Sequence, residues 1–125
     1  MTIAIIDRSE PAGLRIGSQV SGIKGVRSII QIIDKEKILE TLEKVQPQVV
    51  IFDLNGNNGK HFSNLQEIRA SVPKAMIIAL TSFSLESYCR KCNEIGVKHC
   101  LDKVHEFDRI PELITGWKKN KTQSE

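Results

Sequence analysis

Short apolar runs alternate with stretches of helical period five times along the chain, which predicts five strand–helix units. Ile3-Ala4-Ile5-Ile6 reads as the first strand. Ser9 then offers an N-cap and Pro11 sits in the first turn of a helix whose buried face would be Leu14, Ile16, Val20 and Ile23. Gly13, Gly17 and Gly22 weaken that helix by about 1 kcal/mol each relative to Ala. The β-branched run Val26 to Ile33 predicts a second strand. Asp34 caps a second helix, with Ile38, Leu39, Leu42 and Val45 on one face and Pro47 ending it. Val49-Val50-Ile51-Phe52 is continuously apolar, as in a central strand buried on both faces.

A polar, glycine-rich loop, Asn55-Gly56-Asn57-Asn58-Gly59, follows. Phe62, Leu65, Ile68 and Val72 mark the third helix, which Pro73 stops. Met76 to Leu80 predicts the fourth strand. Leu85, Tyr88, Cys89, Cys92 and Ile95 trace the buried stripe of the fourth helix, and Gly96 terminates it. Val97 to Leu101 is a shorter fifth strand. Phe107, Ile110, Leu113, Ile114 and Trp117 mark the last helix, and the polar residues from Lys118 onward are expected to fray. Five such units predict an α/β fold: a doubly wound, five-stranded parallel sheet with five helices on its two faces. Right-handed crossovers leave few topologies, and the flavodoxin-like order 2-1-3-4-5 is the expected one.

With 125 residues, 40% hydrophobic and 26% charged, the chain has the size and balance of one globular domain. The domain is expected over residues 1–117, with a polar C-terminal tail at 118–125 and no separate output domain. A chain this long buries roughly two thirds of its unfolded surface and needs no metal or disulfide staple. No apolar run approaches the roughly 20 residues a bilayer requires, so no membrane span is expected. Asp7 interrupts the opening apolar run too early for a signal peptide. The net charge of +3 is no nucleic-acid footprint, and Lys118, Lys119 and Lys121 read as a solvated helix end. Three cysteines without a secretory signal point to a reduced, cytoplasmic protein. Cys89 and Cys92 are spaced C-x-x-C, but both fall mid-helix on the buried stripe and so read as core residues. His61, His99 and His105 are expected at the surface.

The strand ends carry the chemistry. The first, third, fourth and fifth predicted strands bring Asp7-Arg8, Asp53-Leu54-Asn55, Thr81-Ser82 and Asp102-Lys103 to the carboxyl edge of the sheet, where such folds place their sites. Two carboxylates, a hydroxyl and an ammonium on one edge suit phosphoryl transfer onto a carboxylate. The acid is the nucleophile, and the cation and hydroxyl stabilise charge spread over three phosphoryl oxygens.

These residues, in this order, resemble the receiver domains of two-component response regulators over nearly the whole chain. The resemblance rests on Ile-Ile-Asp7, Val-Val-Ile-Phe-Asp53-Leu-Asn, Leu-Thr81-Ser82 and Leu-Asp-Lys103, and the separations between them suit the family. The stretch Asp-Lys-Val-His-Glu-Phe is also similar to a receiver subgroup with an Asp-Lys-Ser-x-Glu-Phe motif. The resemblance implies that Asp53 is the phosphoacceptor, that Thr81 hydrogen-bonds the phosphoryl group, and that Lys103 pairs with Asp53. It further implies a Mg²⁺ site made by Asp7, Asp53 and the backbone carbonyl of Asn55. The partners it implies are a histidine kinase or phosphotransfer protein upstream and an effector protein downstream. No direct nucleic-acid binding is expected, and homodimerisation through the fourth and fifth helices stays open. Any catalysis is at most self-phosphorylation and self-dephosphorylation.

The chain departs from the family pattern at four places. Arg8 stands where receivers usually carry a second metal-binding acid, and its charge weakens the Mg²⁺ site. The stretch Gly56 to His61 replaces a hydrophobic-Pro-Gly turn. Cys100 replaces a Tyr or Phe of the fifth strand, and Val104 follows Lys103 in place of Pro. Two functions therefore compete: a stand-alone receiver phosphorylated on Asp53, and a degenerate receiver acting as a phosphorylation-independent interaction module. A nucleotide-binding enzyme is disfavoured, because neither G-x-G-x-x-G nor G-x-x-x-x-G-K-[ST] occurs.

Overall fold

The computed structural model of the chain describes residues 1–55, 60–82 and 85–124. Its strands are β1 (Thr2–Ile6), β2 (Ser28–Ile32), β3 (Val49–Asp53), β4 (Met76–Thr81) and β5 (His99–Asp102). Its α-helices are α1 (Glu10–Val20), α2 (Ile38–Val45), α3 (His61–Ser71), α4 (Leu85–Ile95) and α5 (Arg109–Ser124). A single 3-10 turn, Lys35–Lys37, precedes α2. All strand pairs are parallel and the sheet order is β2-β1-β3-β4-β5, as the alternation predicts.

The sheet separates two cores. On one face Ala4, Val50, Phe52 and Ile77 meet Leu42, Leu65, Ile68 and Cys92 from α2, α3 and α4. On the other, Ile3, Ile5, Ile51 and Ile78 meet Ile16, Val20, Ile110 and Ile114 from α1 and α5. Every residue of β3 and β4 is buried, because a central parallel strand is covered on both faces. The edge strand β2 is only half covered.

The helix ends follow local chemistry. Ser9 Oγ accepts from the Ala12 N–H at 3.3 Å, and Asp34 Oδ1 accepts from the Glu36 N–H at 3.0 Å. Gln46 ends α2 with φ 48°, and Gly96 ends α4 with φ 97°. Two expected core residues lie outside: Leu14 is 57% exposed and Val45 40% exposed. The sheet side of α1 is instead Gly13, Ile16 and Val20. A Cβ at Gly13 would overlap the side-chain amide of Gln31, so glycine here leaves room for that amide to donate to Glu10 O at 3.1 Å. Both β2 and β5 are shorter than the apolar runs around them. The polar stretch from Lys118, expected to fray, continues α5 to Ser124. Residues 56–59 of the glycine-rich loop and the side chain of Leu85 lie outside what is described.

Candidate functional site at the strand ends

Parallel pairing delivers the strand ends together. Ile6 stands opposite Phe52, Asp53 opposite Leu80, and Thr81 opposite Asp102. Backbone ties continue past the strands: Leu54 N–H donates to Leu80 O at 2.8 Å, and Lys103 N–H to Thr81 O at 2.9 Å. Asp7 and Asp53 each curl the following backbone onto their own Oδ1, accepting from Ser9 N–H at 2.8 Å and from Asn55 N–H at 3.0 Å. Asp102 does the same after β5, with Val104 and His105 N–H donating to its Oδ1 at 2.9 and 3.0 Å. These short-range bonds hold each acidic side chain in one orientation.

Lys103 stands between the two acids. Its Nζ donates to Asp53 Oδ2 at 2.9 Å and to Asp7 Oδ2 at 3.0 Å. Asp7 is 2% exposed, Asp53 8% and Thr81 1%. Burial pushes the Asp53 carboxyl above its ordinary range, against the opposing pull of the Lys103 hydrogen bond. Burial alone would pull the Lys103 ammonium down. Its hydrogen bonds to Asp53 and Asp7, and their charges, outweigh that and raise it above its ordinary value. Asn55 bridges the β3 and β4 ends, its Nδ2 donating to Ser82 Oγ at 3.1 Å. Arg8 is exposed.

The structure thus gathers Asp7, Asp53 and Lys103 by direct contact, and places Thr81 and Asn55 in the adjoining backbone positions. The pairing of Lys103 with Asp7 as well as Asp53 has no local sequence signal, since 96 residues separate the two. Glu106 is a further missed residue: its Oε1 accepts from Asp102 N–H at 3.0 Å, and its Oε2 accepts from Arg109 at 2.7 Å. It closes the turn that carries Lys103.

For a divalent cation the site offers two buried carboxylates, Asp7 and Asp53. Mg²⁺ is commonly held by one or two carboxylates with water filling its other positions, so this set meets the minimum. Among the described residues, no group of three or more His, Cys, Asp or Glu could hold a metal. That includes the C-x-x-C pair.

The cysteines differ from expectation. Cys89 of α4 and Cys100 of β5 are joined by a disulfide with a Cα–Cα separation of 5.3 Å, while Cys92 is a buried free thiol. Helix geometry explains the choice: Cys92 points into the core, and Cys89 lies over the neighbouring edge strand. Burial pushes the Cys92 thiol up to about 11. Of the histidines, His105 is exposed and 3.2 Å from Asp102. His61 is half-buried and stacks on Tyr88 with ring centroids 5.3 Å apart. His99 is also half-buried, and burial lowers its pKa, with Lys98 and Arg109 adding to the effect. No helix of the described residues is long and apolar enough to cross a membrane.

No family model and no curated protein matches this sequence. Solved structures do match its shape. The isolated REC domain of RcsB from Salmonella enterica serovar Typhimurium, in the apo form, superposes with TM-score 0.84 at 19% identity. That match covers 96% of this chain and 89% of that one. The REC domain of AraT, a response regulator from Geobacillus stearothermophilus, gives TM-score 0.80 at 18% identity, covering 98% and 96%. The chemotaxis protein CheY4 of Vibrio cholerae gives 0.76 at 16%, covering 91% and 95%. Against a longer Salmonella typhimurium RcsB response-regulator structure, the chain spans 60% of that chain's length. Strand order, helix placement and these superpositions agree: the chain has the fold of response-regulator receiver domains.

Proposed function

We propose that the chain accepts a phosphoryl group on Asp53 from a phosphohistidine donor, a histidine kinase or phosphotransfer protein, and signals by contact with an effector protein. The observation that carries this reading is the Lys103 ammonium 2.9 Å from the Asp53 carboxylate at the carboxyl end of the central strand. A carboxylate oxygen of Asp53 would attack phosphorus as the P–N bond of the donor breaks. The leaving imidazole takes the bond's electron pair, and the product is an acyl phosphate. Lys103 would meet the charge developing on the phosphoryl oxygens, and the hydroxyl of Thr81, one residue past the Asp53 register partner Leu80, would donate to one of them. Asp7, Asp53 and the Asn55 carbonyl would hold a Mg²⁺ weakened by Arg8, whose charge neutralises those oxygens when bound. Such a protein acts in the cytoplasm, turns over no separate substrate and is a phosphoprotein of a phosphorelay.

Incubation with acetyl phosphate at millimolar Mg²⁺ tests the reading by intact mass. An adduct is expected on the wild-type chain and not on Asp53→Asn. Absence of any adduct on the wild type overturns it. The second reading, an interaction module that works without phosphorylation, is favoured by one observation: Lys103 already pairs with both acids. A partner bound equally by wild type and Asp53→Asn would support it.

A further inference from the structure

We infer that Cys89 and Cys100 form a reversible thiol–disulfide site that clamps α4 to the edge strand β5. Two observations make the clamp matter. Among the described side chains of α4 only Cys92 is fully buried, whereas α1, α2, α3 and α5 each seat two apolar side chains in a core. Its partner β5 is an edge strand, paired with β4 alone. The cross-link therefore joins a helix with one fully buried side chain among those described to an element held on one side only.

Other features make it reversible. Cys89 belongs to neither core and Cys100 only packs against the edge of one, so the cross-link lies outside the buried clusters. The bond closes a segment of only 11 residues, a short loop for which the chain-entropy gain is at the low end. Cys89 and Cys100 are both half-buried, which leaves a small disulfide a path to them. Cys92 is shielded in the core and its thiol is held protonated, so exchange has one product despite the C-x-x-C spacing.

The oxidant is a low-molecular-weight disulfide of the glutathione class. One thiolate of the pair attacks it, forming a mixed disulfide and releasing one small thiol. The second cysteine then displaces the other small thiol and closes the protein disulfide. The chain loses two hydrogens and two electrons, and one small disulfide becomes two thiols. A dithiol reductant reverses the step.

The test equilibrates the full chain, without oxygen, against graded ratios of reduced to oxidised glutathione, then quenches with acid and alkylates the unfolded chain for intact mass. Three alkyl adducts are expected at the reducing end and one at the oxidising end, with peptide mapping placing the cross-link at Cys89–Cys100. Cys89→Ser and Cys100→Ser should each lose the two-adduct change, and two substitutions guard against one that fails to fold. Oxidation should raise Tm by roughly 5–15 °C and slow α4 amide exchange at least tenfold. Three adducts at every ratio, one adduct at every ratio, or a Cys89–Cys92 cross-link would overturn the site. Equal Tm and equal α4 exchange in the two forms would overturn the clamp.

Discussion

Lys103 donates to Asp7 at 3.0 Å although β3 and β4 separate their strands in the sheet. The long lysine side chain crosses the carboxyl edge and joins β5 to β1, touching Asp53 of β3 on the way. One ammonium thus compensates two buried acids, and its removal takes that charge from both. Lys103→Met should destabilise the chain by about 3 kcal/mol at pH 7, since the removal of one partner strands buried charge. Lys103 holds its proton more tightly folded than unfolded, so its contribution is whole below about 10.5 and is lost as pH rises through the folded value. Urea denaturation of both proteins checks this: the gap should narrow in strong alkali, and narrow again in acid as Asp53 protonates.

Asp53 is shifted in the direction that opposes its charge. Between its ordinary 3.8 and its raised folded value, the folded chain binds the more protons, so its contribution falls as pH rises. Asp53→Asn, which keeps the shape and removes the charge, should be more stable than wild type at pH 7 by on the order of 1 kcal/mol. The difference should vanish near pH 3. A less stable variant at neutral pH would show that the Lys103 pair outweighs the burial of the acid.

Arg8→Asp should tighten Mg²⁺ binding at least tenfold, measured by titration calorimetry. A unit charge about 4 Å away at an effective dielectric near 20 acts with about 4 kcal/mol, and exposure of Arg8 reduces that through solvent and salt. Equal affinities in the two proteins would remove Arg8 as the cause of a weak site. Trp117 fluorescence is a poor reporter for this titration. Trp117 lines a cavity with Pro47, Gln48 and Pro73 at the amino ends of β3 and β4, opposite the acids.

Gly96→Ala should cost about 1 kcal/mol, read as a lower urea midpoint with an unchanged slope. The residue sits at φ 97°, and a Cβ there would meet only Arg69 Cδ at 3.8 Å, an ordinary contact. The loss is therefore backbone strain and not a clash.

Much of this protein is written in local order. Parallel strands are continuous apolar runs because both their faces are covered, so β1, β3 and β4 are legible from a few residues each. Caps and stops such as Ser9, Asp34 and Gly96 act within one turn, so helix ends are legible too. Strand ends of a doubly wound sheet meet on one edge, which brings Asp7, Asp53, Thr81 and Lys103 to the same edge.

Which partner each residue takes was decided by tertiary structure, because contacts across the fold leave no periodic trace. Leu14 reads as core, yet faces water because Gly13, Ile16 and Val20 form the side of α1 that meets the sheet. Cys89 reads as the neighbour of Cys92, yet joins Cys100, because a helix aims those two thiols at different surroundings. Lys103 reads as the partner of one acid and serves two. The sequence determined the elements and the edge where the chemistry gathers, through short-range backbone preference and burial pattern. The fold alone determined the charge balance at Asp53 and the cross-link on α4, since both depend on distances between residues remote along the chain.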